Sequence, residues 1–250
     1  MADSPGSGLL PCLRPLRRGT ERPALLITPG LHGDPTFAAF IARETSPRQP
    51  VYGYSAPGLD GREPPVADIG QLAERFVAEA LAISAPHGVI LVGLCSGGHI
   101  ALKMSPLLSA AGLAVRHLFL VDTPHKMPPE ALRSLAAEQQ KVAERRLNLR
   151  PELARYFMGG VATLQATVEA VNNAKPVHYD GETTVLASEE WRPLIIDEHL
   201  GWNRWLPPGT RVRTVAKTRA ELLSDAVPKV AAIIGEVSRR CVEPDTPKPF

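Results

Sequence analysis

Three cysteines, Cys12, Cys95 and Cys241, are too few and too scattered for a disulfide framework or a thiolate zinc site, and their number is odd. A reducing, cytoplasmic home is therefore expected. Charge of one sign is also missing: the formal net charge is +2, which gives no basic footprint for nucleic acid. No apolar run approaches a membrane span, and the N-terminus lacks the apolar core of a signal segment, so a soluble chain with no membrane partner is expected. What is present is a core-forming composition, 44% hydrophobic and 22% charged over 250 residues. That suits a single α/β domain spanning 1–250.

The chain is organised around Gly88–Ala101. Val89, Ile90, Leu91 and Val92 form a short apolar run that meets Gly93-Leu94-Cys95-Ser96-Gly97-Gly98 and then a helical pattern. Strand, sharp turn and helix around G-x-[nucleophile]-x-G make a nucleophile elbow, here with Cys95 at its centre. Gly93 and Gly97 lack Cβ atoms, so the turn can close tightly. The sulfur then lies at a helix N-terminus, whose dipole and free N–H groups favour a thiolate. The plainer alternative is a small buried cysteine packed on a glycine turn.

Around the elbow, strands are predicted at Leu9–Leu16, Ala24–Thr28, Val51–Tyr54, Val115–Val121, Thr183–Ala187 and Val212–Val215. Helices are predicted from about Pro35, over Ala67–Ile83, over Gly97–Ala111 and as one closing helix over Arg219–Val237. The β-α-β-α-β-α-β order implies a mostly parallel, doubly wound sheet with right-handed crossovers. Pro128–Asn173 is charged and helical, broken at Asn148–Pro151 and at Gly159-Gly160. Following a strand end, it is a lid insertion at about 126–176. Residues 1–8 read as a disordered tail and 241–250 as a second tail.

Taken together, Thr28-Pro29-Gly30-Leu31-His32-Gly33, the Cys95 elbow, Leu120-Val121-Asp122-Thr123-Pro124 and Tyr179-Asp180-Gly181 resemble the α/β-hydrolase thioesterases of polyketide and nonribosomal peptide assembly lines. The resemblance covers Leu9–Arg239. It implies an α/β-hydrolase fold and an acyl chain handed from a phosphopantetheine thiol, on an acyl or peptidyl carrier protein, to the elbow residue. It implies no cofactor or metal beyond that substrate arm. Release follows by water or by an internal nucleophile. Asp122 stands where the family's aspartate orients the catalytic histidine; otherwise it is a turn or capping aspartate before Thr123-Pro124.

The family's histidine belongs just after the last strand, before Leu222-Leu223. There the chain reads Lys217-Thr218-Arg219-Ala220-Glu221, and no histidine follows His199. A guanidinium stays protonated and cannot serve as a general base. A thiol starts closer to ionisation than a hydroxyl, so the helix dipole and Arg219 are expected to bring Cys95 to neutrality or below, with Asp122 holding the guanidinium in a fork. Exchange between thioesters needs no further base, whereas attack by water does. Cyclisation or transfer, Dieckmann-type closure included, is thus favoured over hydrolysis. Editing hydrolysis and a silent site that binds acyl chains without turning them over are the alternatives.

His32, His99 and His199 are the candidates for a replacement base. The N–H groups of Leu31 and Ser96 are the expected oxyanion donors. His99, Trp191 and Trp202, with Leu194, Ile195 and Ile196, are candidate walls of an acyl channel, or core. Arg17, Arg18 and Arg22 read as a solvated turn or as a surface for an acidic carrier.

Overall fold

The computed structural model describes residues 10–20, 22–126, 150, 153–191 and 199–242, with the scattered positions 134, 137, 140, 141, 144, 145 and 148. The expected tail 1–8, most of the tail 241–250, Leu194, Ile195 and Ile196 lie outside the described residues. So does most of the expected lid ahead of Leu153.

Seven strands form one sheet in the order β1-β3-β2-β4-β5-β6-β7. They are β1 (Leu13–Arg17), β2 (Ala24–Thr28), β3 (Val51–Tyr54), β4 (Val89–Leu94), β5 (Val115–Val121), β6 (Thr183–Ser188) and β7 (Arg211–Ala216). Only β1 runs antiparallel. Every residue of β2, β3, β4 and β6 is buried, as strands covered on both faces must be.

Helices α1 (Thr36–Glu44), α2 (Ile69–Ala80) and α3 (Ser96–Ala110) make the early crossovers. The path steps outward from β2 to β3 and then back across to β4. With right-handed crossovers this reversal puts α1 and α2 on opposite faces and opens a crevice at the strands' C-terminal ends. The expected doubly wound, mostly parallel sheet is what forms. Asp68 starts α2 by accepting the Gln71 N–H at 2.8 Å, and Ile69, Leu72, Ala73, Phe76, Val77 and Ala80 bury one stripe of it. The same helix anchors the edge of the sheet: the buried Glu79 carboxylate accepts the N–H groups of Cys12 and Leu13 at 3.0 and 2.6 Å.

Three local expectations are corrected. Helix α4 (Ala154–Asn172) runs unbroken through Gly159-Gly160. Gly159 is there for close approach, because a Cβ would come within 2.5 Å of the Gly61 nitrogen. The closing helix is two, α5 (Arg219–Leu222) and α6 (Val227–Arg240). Pro228 in the first turn of α6 has no N–H to continue a helix arriving from α5. Arg17 is not solvated: its guanidinium donates to Ser46 O at 2.5 Å, to Thr45 O at 3.3 Å and to Ala42 O, closing the C-terminal end of α1.

Candidate active site

The register aligns the candidate residues before any side chain is considered. Thr28 pairs with Gly93, Leu94 with Val121 and Val121 with Leu186. The residues that follow, Leu31, Cys95, Asp122 and Ser188, therefore emerge side by side at the C-terminal ends of β2, β4, β5 and β6. Arg219 follows β7 at the neighbouring position.

Two of these residues share an unusual backbone. Cys95 has φ 51° and Asp122 φ 50°, a left-handed conformation that costs of order 1–3 kcal/mol outside glycine and persists only where surroundings enforce it. The enforcement is visible. The Cys95 N–H donates to Val121 O at 2.8 Å, and Thr28 Oγ donates to Gly97 O at 2.7 Å. A Cβ on Gly93 would lie 2.4 Å from the Gly98 Cα, and one on Gly97 2.4 Å from Pro29 O. The elbow is held from below and from the side, so the strain falls on Cys95 itself.

Asp122 is fully buried. Its N–H donates to Leu186 O at 2.7 Å, and its Oδ1 accepts from the Ser188 N–H and hydroxyl at 2.9 and 2.8 Å. Its Oδ2 is buried and has no hydrogen-bond partner. The expected fork between Asp122 and Arg219 is absent among the described residues. Ser188 has taken one carboxylate oxygen, and the Arg219 guanidinium bears on the Cys95 sulfur instead. The Arg219 N–H donates to Glu190 Oε2 at 2.8 Å. Thr218 caps α5 by accepting the Glu221 N–H at 3.1 Å, while Glu221 Oε2 accepts the Lys217 N–H at 2.7 Å, a capping box shifted by one residue.

The sulfur is not the expected thiolate. Cys95 is 1% exposed, and burial pushes its thiol above the ordinary value of 9.0. Arg219's charge and the Ser96 N–H pull the other way, Asp122's charge adds to the rise, and hydrogen bonding by Arg219 lowers it least. Desolvation outweighs the cation because a charge shut away from water loses more hydration than one half-buried guanidinium returns. Burial thus favours a neutral thiol beside Arg219.

The histidine candidates differ in their surroundings. His32 is exposed on the turn after β2, and His199 lies in the turn that leads to Trp202. His99 is buried, donates from Nε2 to Pro124 O at 3.0 Å and packs on Trp202 at 5.0 Å between ring centroids. Burial pushes its pKa down to about 4. Trp202 is fully buried and donates Nε1–H to Thr123 O at 2.7 Å. Together they hold the carbonyls of the Asp122-Thr123-Pro124 turn. Trp191, in the 3-10 turn Glu189–Trp191, is buried with its Nε1–H unpartnered. The Ser96 hydroxyl is likewise buried and unpartnered, and the Leu31 N–H reaches no acceptor among the described residues.

Ser188 and Glu190, which fix Asp122 and Arg219, were not singled out from sequence. Nothing marks them except their place after a strand. Helix α4 packs on the loop after β2: a Cβ on Gly33 would lie 2.7 Å from Thr163 Cγ2. Among the described residues no group of three His, Cys, Asp or Glu could hold a metal, and no helix is long and apolar enough to cross a membrane.

Fold and elbow together define an α/β-hydrolase fold with Cys95 at the centre of its strand–turn–helix elbow. The thioesterase domain family model matches residues 25–237, and the chain belongs to that family, whose members act on thioesters. Indigoidine synthase of Dickeya dadantii (strain 3937) is 31% identical over 105 residues, 42% of this chain but only 7% of that protein's length. The crystal structure of holo-AB3403, a four-domain nonribosomal peptide synthetase bound to AMP and glycine, matches 95% of this chain and 20% of its own. Its TM-score is 0.76 at 19% identity. The Vlm2 thioesterase domain carrying genetically encoded 2,3-diaminopropionic acid, bound with a dodecadepsipeptide, matches 92% of this chain and 98% of its own. The TM-score there is 0.73 at 21% identity.

Proposed function

We propose that this chain takes an acyl group from a carrier-protein thioester onto the Cys95 sulfur and releases it by cyclisation or transfer, not by simple hydrolysis. The setting is polyketide or nonribosomal peptide biosynthesis, and the substrate arrives on the phosphopantetheine arm of an acyl or peptidyl carrier protein. No cofactor is needed. The observation that carries this reading is Arg219 bearing on the sulfur at a strained elbow, in the place where the family would put a base.

Loading balances without an added base. The Cys95 Sγ–acyl carbon bond forms, the carbon–sulfur bond to the carrier breaks, and the proton of the Cys95 thiol ends on the carrier thiol. Burial is the largest influence holding the thiol neutral. Once the covering elements part and the site is hydrated, Arg219 and the Ser96 N–H remain and favour the thiolate. We assign the Ser96 and Leu31 N–H groups as donors to the developing oxyanion. Water has no comparable help from Arg219, which cannot accept its proton. A nucleophile within the acyl chain needs no recruitment from solvent and holds an effective-concentration advantage. Dieckmann-type closure is one such outcome.

A non-catalytic, acyl-binding chain is the second reading, favoured by the 1% exposure of Cys95. Single-turnover product analysis with acyl-pantetheine thioesters separates the possibilities. Cyclised or transferred product in excess of free acid, lost in Cys95→Ala, is expected. Free acid as the main product shows editing hydrolysis, and no product with no adduct shows the silent site.

A further inference from the structure

The sheet ends at β7, and among the described residues no strand pairs with its outer edge. Between β7 and α6 lies a groove of about 670 Å³. Val215, Ala232 and Ile233 give it apolar surface, and Arg213, Lys229 and Arg239 line it with cations. Lys229 is fixed in place, because its ammonium donates to Val215 O at 3.2 Å and to Thr214 O at 3.4 Å. The lining also holds a carboxylate, Glu236, but Arg240 Nη2 pairs with its Oε1 at 3.5 Å. Arg213 and Arg239 have no acidic partner among the described residues.

The charge is local. From Arg211 to Val242 the sequence holds seven Lys or Arg against three Asp or Glu, whereas the whole chain balances to +2. The rest of the chain is therefore slightly acidic, and the positive field is concentrated along this edge. It is felt inside the sheet as well. Burial does most to push the His117 pKa down, and the charges of Arg211 and Arg240 push the same way.

We propose that this groove is a docking surface for a partner protein, which lays an acidic, extended segment along β7. Carboxylates match the three cations. Side chains alternate along an extended chain, so acidic ones meet the cations while apolar ones cover Val215, Ala232 and Ile233. A phosphate backbone would leave that apolar surface in water. An extended segment also brings backbone groups to an open strand edge. Lys229 to Arg239 spans about 15 Å of helix, room for about five extended residues. Charges on an edge strand guard it against pairing with copies of itself. That accounts for Arg211 and Arg213, but Lys229 and Arg239 stand on α6, off the strand, and line the same groove. The surface is three strands away from β4, so it makes no demand on the chemistry of Cys95.

The test uses three fluorescent probes of similar length on the full chain: a peptide alternating glutamate and valine, the same peptide with lysine for glutamate, and a single-stranded oligothymidylate. Anisotropy titration is expected to show the glutamate peptide binding roughly 10-fold or more tighter than the other two, and weakening as salt rises. Hydrogen exchange is expected to slow in β7 when it binds. Arg213 and Arg239 are exposed, and Arg213→Glu with Arg239→Glu is expected to weaken binding by roughly another 10-fold, with circular dichroism showing the variant folded. Arg239→Ala alone gives the same direction should the double variant not fold. Equal binding of the two peptides, tighter binding of the oligonucleotide, no binding of any probe, or binding that survives charge reversal overturns the inference. So does binding seen only after residues 243–250 are removed, which assigns the groove to the chain's own tail.

Discussion

Acid should dismantle the brace behind the site before it touches the chemistry. His99 and His117 are 7% and 4% exposed, and burial pushes both down to about 4 from 6.5. In the unfolded chain each protonates near pH 6.5, whereas in the folded chain each stays neutral until about pH 4. Their contribution is thus complete above pH 6.5 and is lost as pH falls toward 4. A depression of this size corresponds to about 3 kcal/mol per histidine, of which about 2 is already gone at pH 5. Against a typical folding stability of roughly 5–15 kcal/mol, two such groups dominate the acid side. His99 matters more to the site, because its Nε2–H holds Pro124 O and its ring packs on Trp202, whose N–H holds Thr123 O. Urea unfolding at pH 7, 6 and 5, read by tryptophan fluorescence, measures this directly. Stability should fall steadily over that range, and His99→Gln should flatten the slope by about half while lowering stability at pH 7. A stability flat from pH 7 to 5, or a slope untouched by His99→Gln, refutes the reasoning.

Three further outcomes follow from the same geometry. Arg219→His places an imidazole where the family keeps its base and offers Asp122 Oδ2 a donor. Free-acid release should rise roughly 100-fold, and an unchanged hydrolysis rate counts against the missing-base account. Iodoacetamide should modify Cys95 slowly at pH 7, where a thiol raised above 9.0 is less than about 1% ionised. Arg219→Met should slow the reaction further and Asp122→Asn speed it, and the opposite order would contradict the assigned charges. Gly98→Ala would set a Cβ 2.2 Å from the Thr123 hydroxyl oxygen, and thermal unfolding should show a loss of about 2 kcal/mol or more.

The route from residues to fold was short where the pattern is local. The all-buried run before Gly93 and the amphipathic stripe on α2 announce themselves, and with them come the sheet, the elbow and the place of Asp122. The position of Arg219 after the last strand was equally legible. What it does there was not. Its backbone is fixed by Glu190, a residue 29 positions earlier with no motif around it, and Asp122 is fixed by Ser188 for reasons visible only once β5 and β6 lie together. The helix dipole and a nearby cation are properties of sequence neighbours or of a known topology, so an ionised sulfur was the natural expectation. Burial is set by everything packed around Cys95, and it reversed the sign. Likewise His99 and Trp202 carry the residue types of a binding wall, yet their hydrogen bonds go to backbone carbonyls behind the site.

The central claim is that the Cys95 sulfur accepts an acyl group with no imidazole to help it. Peptide mapping by mass spectrometry after brief incubation with an acyl-pantetheine thioester tests it most directly. The account predicts a thioester-linked acyl group on the peptide containing Cys95, abolished in Cys95→Ala and reversed by hydroxylamine; an unmodified Cys95 with substrate in excess would contradict it.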